Sequence, residues 1–304
     1  MKRVGIIYDD IYLKHLMPAG HPESPERLLA IMDKLRGSDI WNDLVKLSPR
    51  KATREELLSV HKEKHIDHLS RLVGYSDPDT YVSEGSYEAA LFAAGAPLVA
   101  IDSIKAGTIE RAFCAVRPPG HHAETGRTSG FCLFNNIAVG ARYAQANGYP
   151  KIFIVDFDVH HGNGTEHMFE GDPSVFYFST HQFPHFPGTG ADHEKGHGEG
   201  YGYTANYPMA PGLGDEEYLS IYQDALPGLV RDFSPDLVMV SAGYDLLARD
   251  PLAHIRVSDH GLESIVDAIL SSCETPFVFC LEGGYNLEVL SERVLMTMRA
   301  LMSK

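Results

Sequence analysis

Cysteine is scarce in this chain and carries no pairing pattern. Its 304 residues include four, Cys114, Cys132, Cys273 and Cys280. None form C-x-x-C and three sit in apolar runs, so no disulfide framework is indicated and the thiols read as reduced core residues of an intracellular, cytoplasmic protein. Basic residues are also in deficit. Against 41 Asp and Glu stand 26 Lys and Arg, for a formal net charge of −15. That leaves no broad basic footprint, and no direct binding to nucleic acid is expected. Long apolar runs are missing too. The longest uncharged one, Ala89 to Ile101, contains Gly95 and Pro97 and is too short for a bilayer, so no membrane partner is expected. The N-terminus turns acidic at Asp9-Asp10, where a signal peptide would still be apolar. No internal repeat or low-complexity linker divides the chain, and one domain over residues 1–304 is expected.

What is present is an alternation of short apolar strands and amphipathic or alanine-rich helices. Strands are predicted at Val4–Tyr8, Ala112–Val116, Val175–Ser179, Leu237–Ser241 and Phe277–Leu281, with a central strand starting at Ile152. Between them the pattern predicts helices beginning at Pro25 with Ser24 as N-cap, after the capping box Thr53-x-x-Glu56, and over Tyr87–Ile104, Asn135–Asn147, Tyr218–Phe233 and Ser258–Ser272. A terminal helix follows Asn286. This order argues for an α/β fold with a mainly parallel sheet covered on both faces. Five strands run into small or polar clusters, at 117–122, 156–163, 179–181, 241–245 and 282–286. In a parallel sheet all five would lie along one edge, where open α/β sheets place their ligands.

The sharpest cluster is Asp156-Phe-Asp158-Val-His160-His161-Gly162-Asn163-Gly164. In an extended segment, Asp158 and His160 point the same way and could face one cation. A catalytic zinc takes three protein ligands and keeps a place open. Asp245 is placed to be the third. The adjacent His121 and His122 could supply a general base, with Asp156 behind one ring and the weaker acceptor Asn163 behind the other. Tyr285, beside glycines, could donate to an oxyanion. Phe131 and Phe186 lie in glycine-bounded loops that leave the same edge. The Gly-, Pro- and His-rich loop 182–202 is long enough to be functional.

These residues resemble the zinc-dependent histone deacetylase family, which includes acetoin-utilisation proteins and acetylpolyamine amidohydrolases. The matching motifs are Arg117-Pro-Pro-Gly-His-His-Ala123, Gly130-Phe-Cys-Leu-Phe-Asn-Asn136, Asp156 to Gly164, Phe186-Pro-Gly-Thr-Gly190, Ser241-Ala-Gly-Tyr-Asp245 and Glu282-Gly-Gly-Tyr-Asn286. They stand in family order along nearly the whole chain. The resemblance implies the single-domain arginase/deacetylase fold with a central sheet of eight strands. It implies zinc on Asp158, His160 and Asp245, His121 paired with Asp156, His122 as base and later acid, and Tyr285 as oxyanion donor. It further implies the Gly130 carbonyl as acceptor for the substrate amide, Phe131 and Phe186 flanking an acyl-lysine channel, and Asp79 at its rim. Structural potassium sites are implied at Asp156, Asp158, His160, Ser179 and Thr180, and at Phe169, Asp172, Val175 and Tyr203. Asn163 departs from the aspartate of the class I enzymes and matches class II and bacterial members. Leu252 stands where the polyamine-selective eukaryotic member has a glutamate, which favours acyl-lysine.

The expected activity is metal-dependent removal of acetyl or short acyl groups from lysine side chains of peptides or proteins. Acetylpolyamine hydrolysis is the alternative, a low-turnover acyl-lysine binder a lesser one. A binuclear manganese ureohydrolase would need more bridging aspartates. Fe(II) could replace zinc on an Asp2His site. Oligomeric state is left open.

Overall fold

The computed structural model describes residues 2–304. The chain opens with β1 (Val4–Ile7), a 3-10 turn (Asp10–Lys14), α1 (Glu26–Arg36) and β2 (Val45–Leu47). Helices α2 (Arg54–Leu58) and α3 (Glu63–Leu69) lead to a two-stranded antiparallel hairpin, β3 (Gly74–Tyr75) with β4 (Tyr81–Val82). Next come α4 (Ser86–Lys105), β5 (Arg111–Cys114), α5 (Asn136–Ala146), β6 (Ile152–Asp156), α6 (Asn163–Phe169) and β7 (Val175–Gln182). After β8 (Thr204–Met209), α7 (Asp215–Ser220) runs through a π turn (Ile221–Ala225) into α8 (Leu226–Phe233). β9 (Leu237–Ala242), α9 (Asp259–Ser271), β10 (Phe277–Leu281) and α10 (Leu287–Ser303) complete the chain.

Eight strands form one sheet in the order β2-β1-β5-β10-β9-β6-β7-β8, every pairing parallel. β1, β5, β6, β7, β9 and β10 are buried at every position, as expected of strands covered on both faces. The edge strands β2 and β8 are only partly buried. The α/β class and the eight-stranded parallel sheet agree with expectation. β2 and β8 themselves were not foreseen, because short half-exposed edges lack the continuous apolar run that marks the central strands.

Some boundaries differ. Ser24 does not cap α1: Pro25 holds that place with no side-chain bond, and Glu26 is the first helical residue. The Thr53–Glu56 capping box is formed in full. β7 continues through Thr180 and His181 to Gln182 because β8 pairs with it that far, so 179–181 lies within the strand rather than beyond it. The helix α6 begins in the middle of the polar cluster at Asn163. The apolar run Ala89–Ile101 lies inside a longer helix. α4 extends to 20 residues and is long and apolar enough to cross a membrane by composition. Here its small residues Ala90, Ala93, Ala94 and Ala96 are buried in the core, and it packs against α5 and β5.

Sheet order is what assembles the site. β5, β10, β9 and β6 are consecutive neighbours, so the segments after them, 115–124, 282–286, 243–245 and 157–163, leave one edge side by side. Behind them the buried Arg117 bonds Glu23 and the carbonyls of Tyr12 and His15, while buried Arg27 donates to the carbonyls of Glu282 and Gly284. These charge-assisted bonds tie the start of the chain to its last strand loop.

Candidate active site

The strand does not continue through Asp158 and His160, contrary to the extended geometry expected. β6 ends at Asp156, and two Asx-type turns follow. Asp156 Oδ1 accepts from the amide of Asp158 at 3.2 Å, and Asp158 Oδ1 accepts from the amide of His160 at 2.9 Å. Each carboxylate replaces the ladder bond that its own downstream amide would have made. The turns still bring the two side chains together: His160 Nδ1 lies 3.1 Å from Asp158 Oδ1 and 3.2 Å from Asp245 Oδ2.

Asp158, His160 and Asp245 present one donor atom each within 4.8 Å of one another. Asp245 Oδ1 accepts from the Val159 amide at 3.0 Å, but its Oδ2 is buried and makes no hydrogen bond. An unsatisfied buried carboxylate oxygen is costly, and a divalent cation would satisfy it. Two oxygens and an imidazole nitrogen are a donor set that zinc accepts. The residues therefore fit a metal ion. Without a cation, burial lowers the affinity of His160 for its proton, but its bond to Asp158 and the nearby Asp245 carboxylate outweigh this and raise its pKa to about 10. Burial would raise Asp158, yet the charge of His121 and the bond to His160 hold it below the usual carboxylate range.

Gly283 makes this close approach feasible. Its amide donates to Asp158 Oδ2 at 2.8 Å, and a Cβ there would stand 2.0 Å from Asp245 Oδ2 and 2.6 Å from Asp158 Oδ2. Gly283→Ala must push both carboxylates aside, and is expected to weaken metal binding about 10- to 100-fold. Metal titration of the purified variant checks this; parental affinity would show that the carboxylates are not the cation's holders.

The histidine pair lies beside the triad. His121 Nδ1 is 3.0 Å from Asp156 Oδ2, which also accepts from Tyr177. His122 Nδ1 is 2.8 Å from Asn163 Oδ1. Burial disfavours the cation on both rings. For His121 the charge of Asp156 wins and lifts the pKa to about 10, whereas for His122 the neighbouring His121 and His160 push it further down. The two rings are thus pushed in opposite directions, His121 toward its charged form and His122 toward its neutral form.

A narrow cavity of about 220 Å³ opens over these groups. Phe131, Phe186, Leu252 and Tyr285 form its walls, and Gly130 and Asp79 also border it. Gly130 has φ +51° and packs on His122, where a Cβ would meet the ring at 2.4 Å. Phe131 sits at φ 68° and is held by a bond from its amide to Thr80 Oγ1. Asp79 is half-buried at the mouth; burial, then its bond with Asp77, raises its pKa to about 6. Tyr285 is placed by its amide donating to Asp250 Oδ2 at 2.7 Å, and its ring lies 5.0 Å from the Arg27 guanidinium and edge-on to Phe131.

Of the expected potassium residues, Ser179 Oγ bonds His181 and Thr180 Oγ1 bonds Tyr222, so neither hydroxyl turns freely toward Asp156 and Asp158. Phe169, Asp172 and Val175 share one turn, and Tyr203 O bonds the neighbouring strand at Tyr177. The Asp172 carboxylate is already taken by Arg142 and Ser174, which leaves backbone carbonyls as the oxygens a cation could use there.

Four participants were not singled out from sequence. His185 lines the cavity, stacks on His160 with ring centroids 5.1 Å apart, and donates from Nε2 to the Leu252 carbonyl at 3.3 Å. Glu282 accepts from the amides of Gly120 and His121. Asp250 anchors Tyr285, and Glu124 meets Asn163. His185, Glu282 and Glu124 lie inside or beside quoted motifs, but only their side-chain partners reveal a role.

Comparison with known proteins agrees with this geometry. The chain matches the histone deacetylase domain over residues 21–301. A protein named "Probable deacetylase" from Archaeoglobus fulgidus is 38% identical over 293 residues, covering 93% of this chain and 82% of its own length. Histone deacetylase 15 of Arabidopsis thaliana is 39% identical, covering 93% of this chain and 53% of its own length. Polyamine deacetylase HDAC10 of Homo sapiens is 34% identical, covering 99% and 47%. This chain thus spans about half the length of the plant and human relatives. The crystal structure of the HDA15 HD domain superimposes with a TM-score of 0.94 at 37% identity, covering 99% of this chain and 91% of that one. Fold, motif order and sequence similarity over nearly the whole length agree, and the chain belongs to the histone deacetylase family.

Proposed function

We infer that this protein is a zinc-dependent amidohydrolase that removes acetyl or short acyl groups from lysine side chains. The observation that carries this reading is the convergence of Asp158, His160 and Asp245, with His160 and the neighbouring His122 lining a narrow, aromatic-walled cavity. A zinc ion held by those three side chains would supply Lewis-acid activation of a carbonyl and a water. The protein's own groups supply the rest. Neutral His122 takes the proton of the attacking water and returns it to the leaving amine. His121, charged and backed by Asp156, adds positive potential beside the developing oxyanion, and the Tyr285 hydroxyl donates to it. Phe131 and Phe186 flank the aliphatic acyl-lysine stem and exclude water. The Gly130 carbonyl accepts the substrate amide N–H, and Asp79 binds substrate backbone at the mouth. Potassium would occupy the carbonyl-lined turns named above.

The test is an activity panel on enzyme loaded with zinc or Fe(II) after chelation. Acyl-lysine peptides of increasing acyl length are expected to be cleaved, and chelated enzyme to be inactive. Hydrolysis that survives chelation would overturn the reading. Acetylpolyamine hydrolysis is a competing reading, since one relative is named a polyamine deacetylase. The apolar Leu252 in the cavity wall disfavours it, because a polyamine would bring a second cation to that wall. Leu252→Glu is accordingly expected to move the kcat/KM ratio toward acetylspermidine by roughly tenfold or more, the scale on which a paired charge discriminates. An unmoved ratio would show that position 252 does not read the substrate.

A further inference from the structure

We propose that Glu124 is a positioning residue that orients the Asn163 amide and thereby decides which nitrogen of His122 carries the proton. This role presupposes His122 as the general base of the proposed reaction. Its geometry is a short relay. His122 Nδ1 lies 2.8 Å from Asn163 Oδ1, and Asn163 Nδ2 lies 2.7 Å from Glu124 Oε1.

An asparagine amide can present its oxygen or its NH2 group by a half-turn that barely changes its shape. A carboxylate removes that freedom, because it accepts and does not donate. Asn163 must therefore turn NH2 to Glu124 and oxygen to His122. Facing an oxygen, His122 donates from Nδ1 and keeps Nε2 bare, as a base requires. With the amide reversed, NH2 would face Nδ1, the proton would move to Nε2, and the ring could no longer accept one there. An aspartate at 163 would need no such guide, since both of its oxygens accept. Asparagine does need one.

Glu124 is itself well held. It is buried, its Oε1 is 2.9 Å from His167 Nδ1, and the Arg127 guanidinium is 3.6 Å away. Burial alone would raise its pKa, but the bond to His167 and the charges beside it bring the carboxyl below its usual range, so it is anionic at neutral pH. Its backbone carbonyl is fixed by His61 at 3.0 Å. His167 and Arg127 border a broad groove of about 780 Å³, so the relay runs from the catalytic ring to the surface.

The experiment compares E124A, E124Q, N163D and the double variant E124A/N163D in the zinc-loaded enzyme with an acetyl-lysine peptide. E124A is expected to lower kcat about 10- to 100-fold, as loss of an outer partner does, with KM little changed. E124Q can present either its oxygen or its NH2 to Asn163, so it no longer dictates the orientation, and its kcat should fall between those of the parent and E124A. N163D sets two carboxylates against each other and should lower kcat, and adding E124A to N163D should restore it toward the parent. The sign reversal, harmful on asparagine and helpful on aspartate, is something a merely structural glutamate does not produce. Equal losses on both backgrounds, or parental kcat in E124A, would overturn the proposal. Nitrogen-15 NMR of the His122 ring reads the tautomer without turnover: the parent should show the Nδ1 proton and E124A a shift to Nε2. An unchanged tautomer in E124A also overturns it. A parent that cleaves no acyl amide, yet whose His122 switches tautomer in E124A, supports the positioning role and refutes the activity.

Discussion

Asp245→Ala is expected to abolish both metal retention and turnover. The variant removes the one donor whose oxygen is buried without a hydrogen bond, and it leaves Asp158 and His160 as an incomplete pair. Loss in metal affinity should be at least about a hundredfold, above the 10- to 100-fold typical of partners outside the ligand shell. Metal content after dialysis and calorimetric titration measure it, and kcat should fall in parallel. The pH dependence follows from the same geometry. In the absence of a cation His160 keeps its proton up to about pH 10, so binding at neutral pH must release it. Affinity should therefore rise about tenfold per pH unit below that value, and proton release should be seen in buffers of differing ionisation heat. A variant that still holds one equivalent of zinc with parental affinity would mean that the cation sits elsewhere.

Tyr285→Phe is expected to lower kcat about a hundredfold or more, the usual effect of deleting one oxyanion donor. The substitution spares what places the ring. The amide bond to Asp250, the Arg27 guanidinium over the ring and the edge contact with Phe131 do not involve the hydroxyl. Burial, followed by the charge of Asp245, raises the phenol well above its ordinary pKa, so it stays a donor across the working range. KM should change little, since the bond forms only as charge develops on the carbonyl oxygen. Parental turnover in the variant would remove Tyr285 from the mechanism, and a rise in KM alone would make it a binding group.

Much of the central sheet was legible from residue type. Phe277–Leu281 and Leu237–Val240 are short apolar runs rich in β-branched and aromatic residues and bounded by turn residues, and that length and composition favour strands buried on both faces. β2 and β8 escaped notice because an edge needs apolar residues on one side only. At the site, the types at Asp158, His160, Asp245, His121 and His122 announced metal and acid–base chemistry. The expected route to their juxtaposition was wrong in detail. An extended strand was anticipated where Asx turns occur, since sequence alone does not show whether a carboxylate will take its own downstream amide. His185 and Glu124 could not be read as participants at all. Histidine or glutamate in a loop has many ordinary uses, and their relevance lies in a ring 5.1 Å away and an amide 2.7 Å away.

Taken by itself, the order of amino acids determined the strand-and-helix alternation, the chemical types at the strand ends and the match to a family. Tertiary structure decided which of those ends meet. Strand β10, the last strand in the chain, inserts between β5 and β9, and that placement sets Gly283 against Asp245 and, across 125 residues of sequence, against Asp158. Local preferences act over a few residues, whereas strand order depends on how the whole core packs. The choice of neighbours, and with it the candidate cation site, the cavity and the contacts through Asn163, therefore exists only in the folded chain.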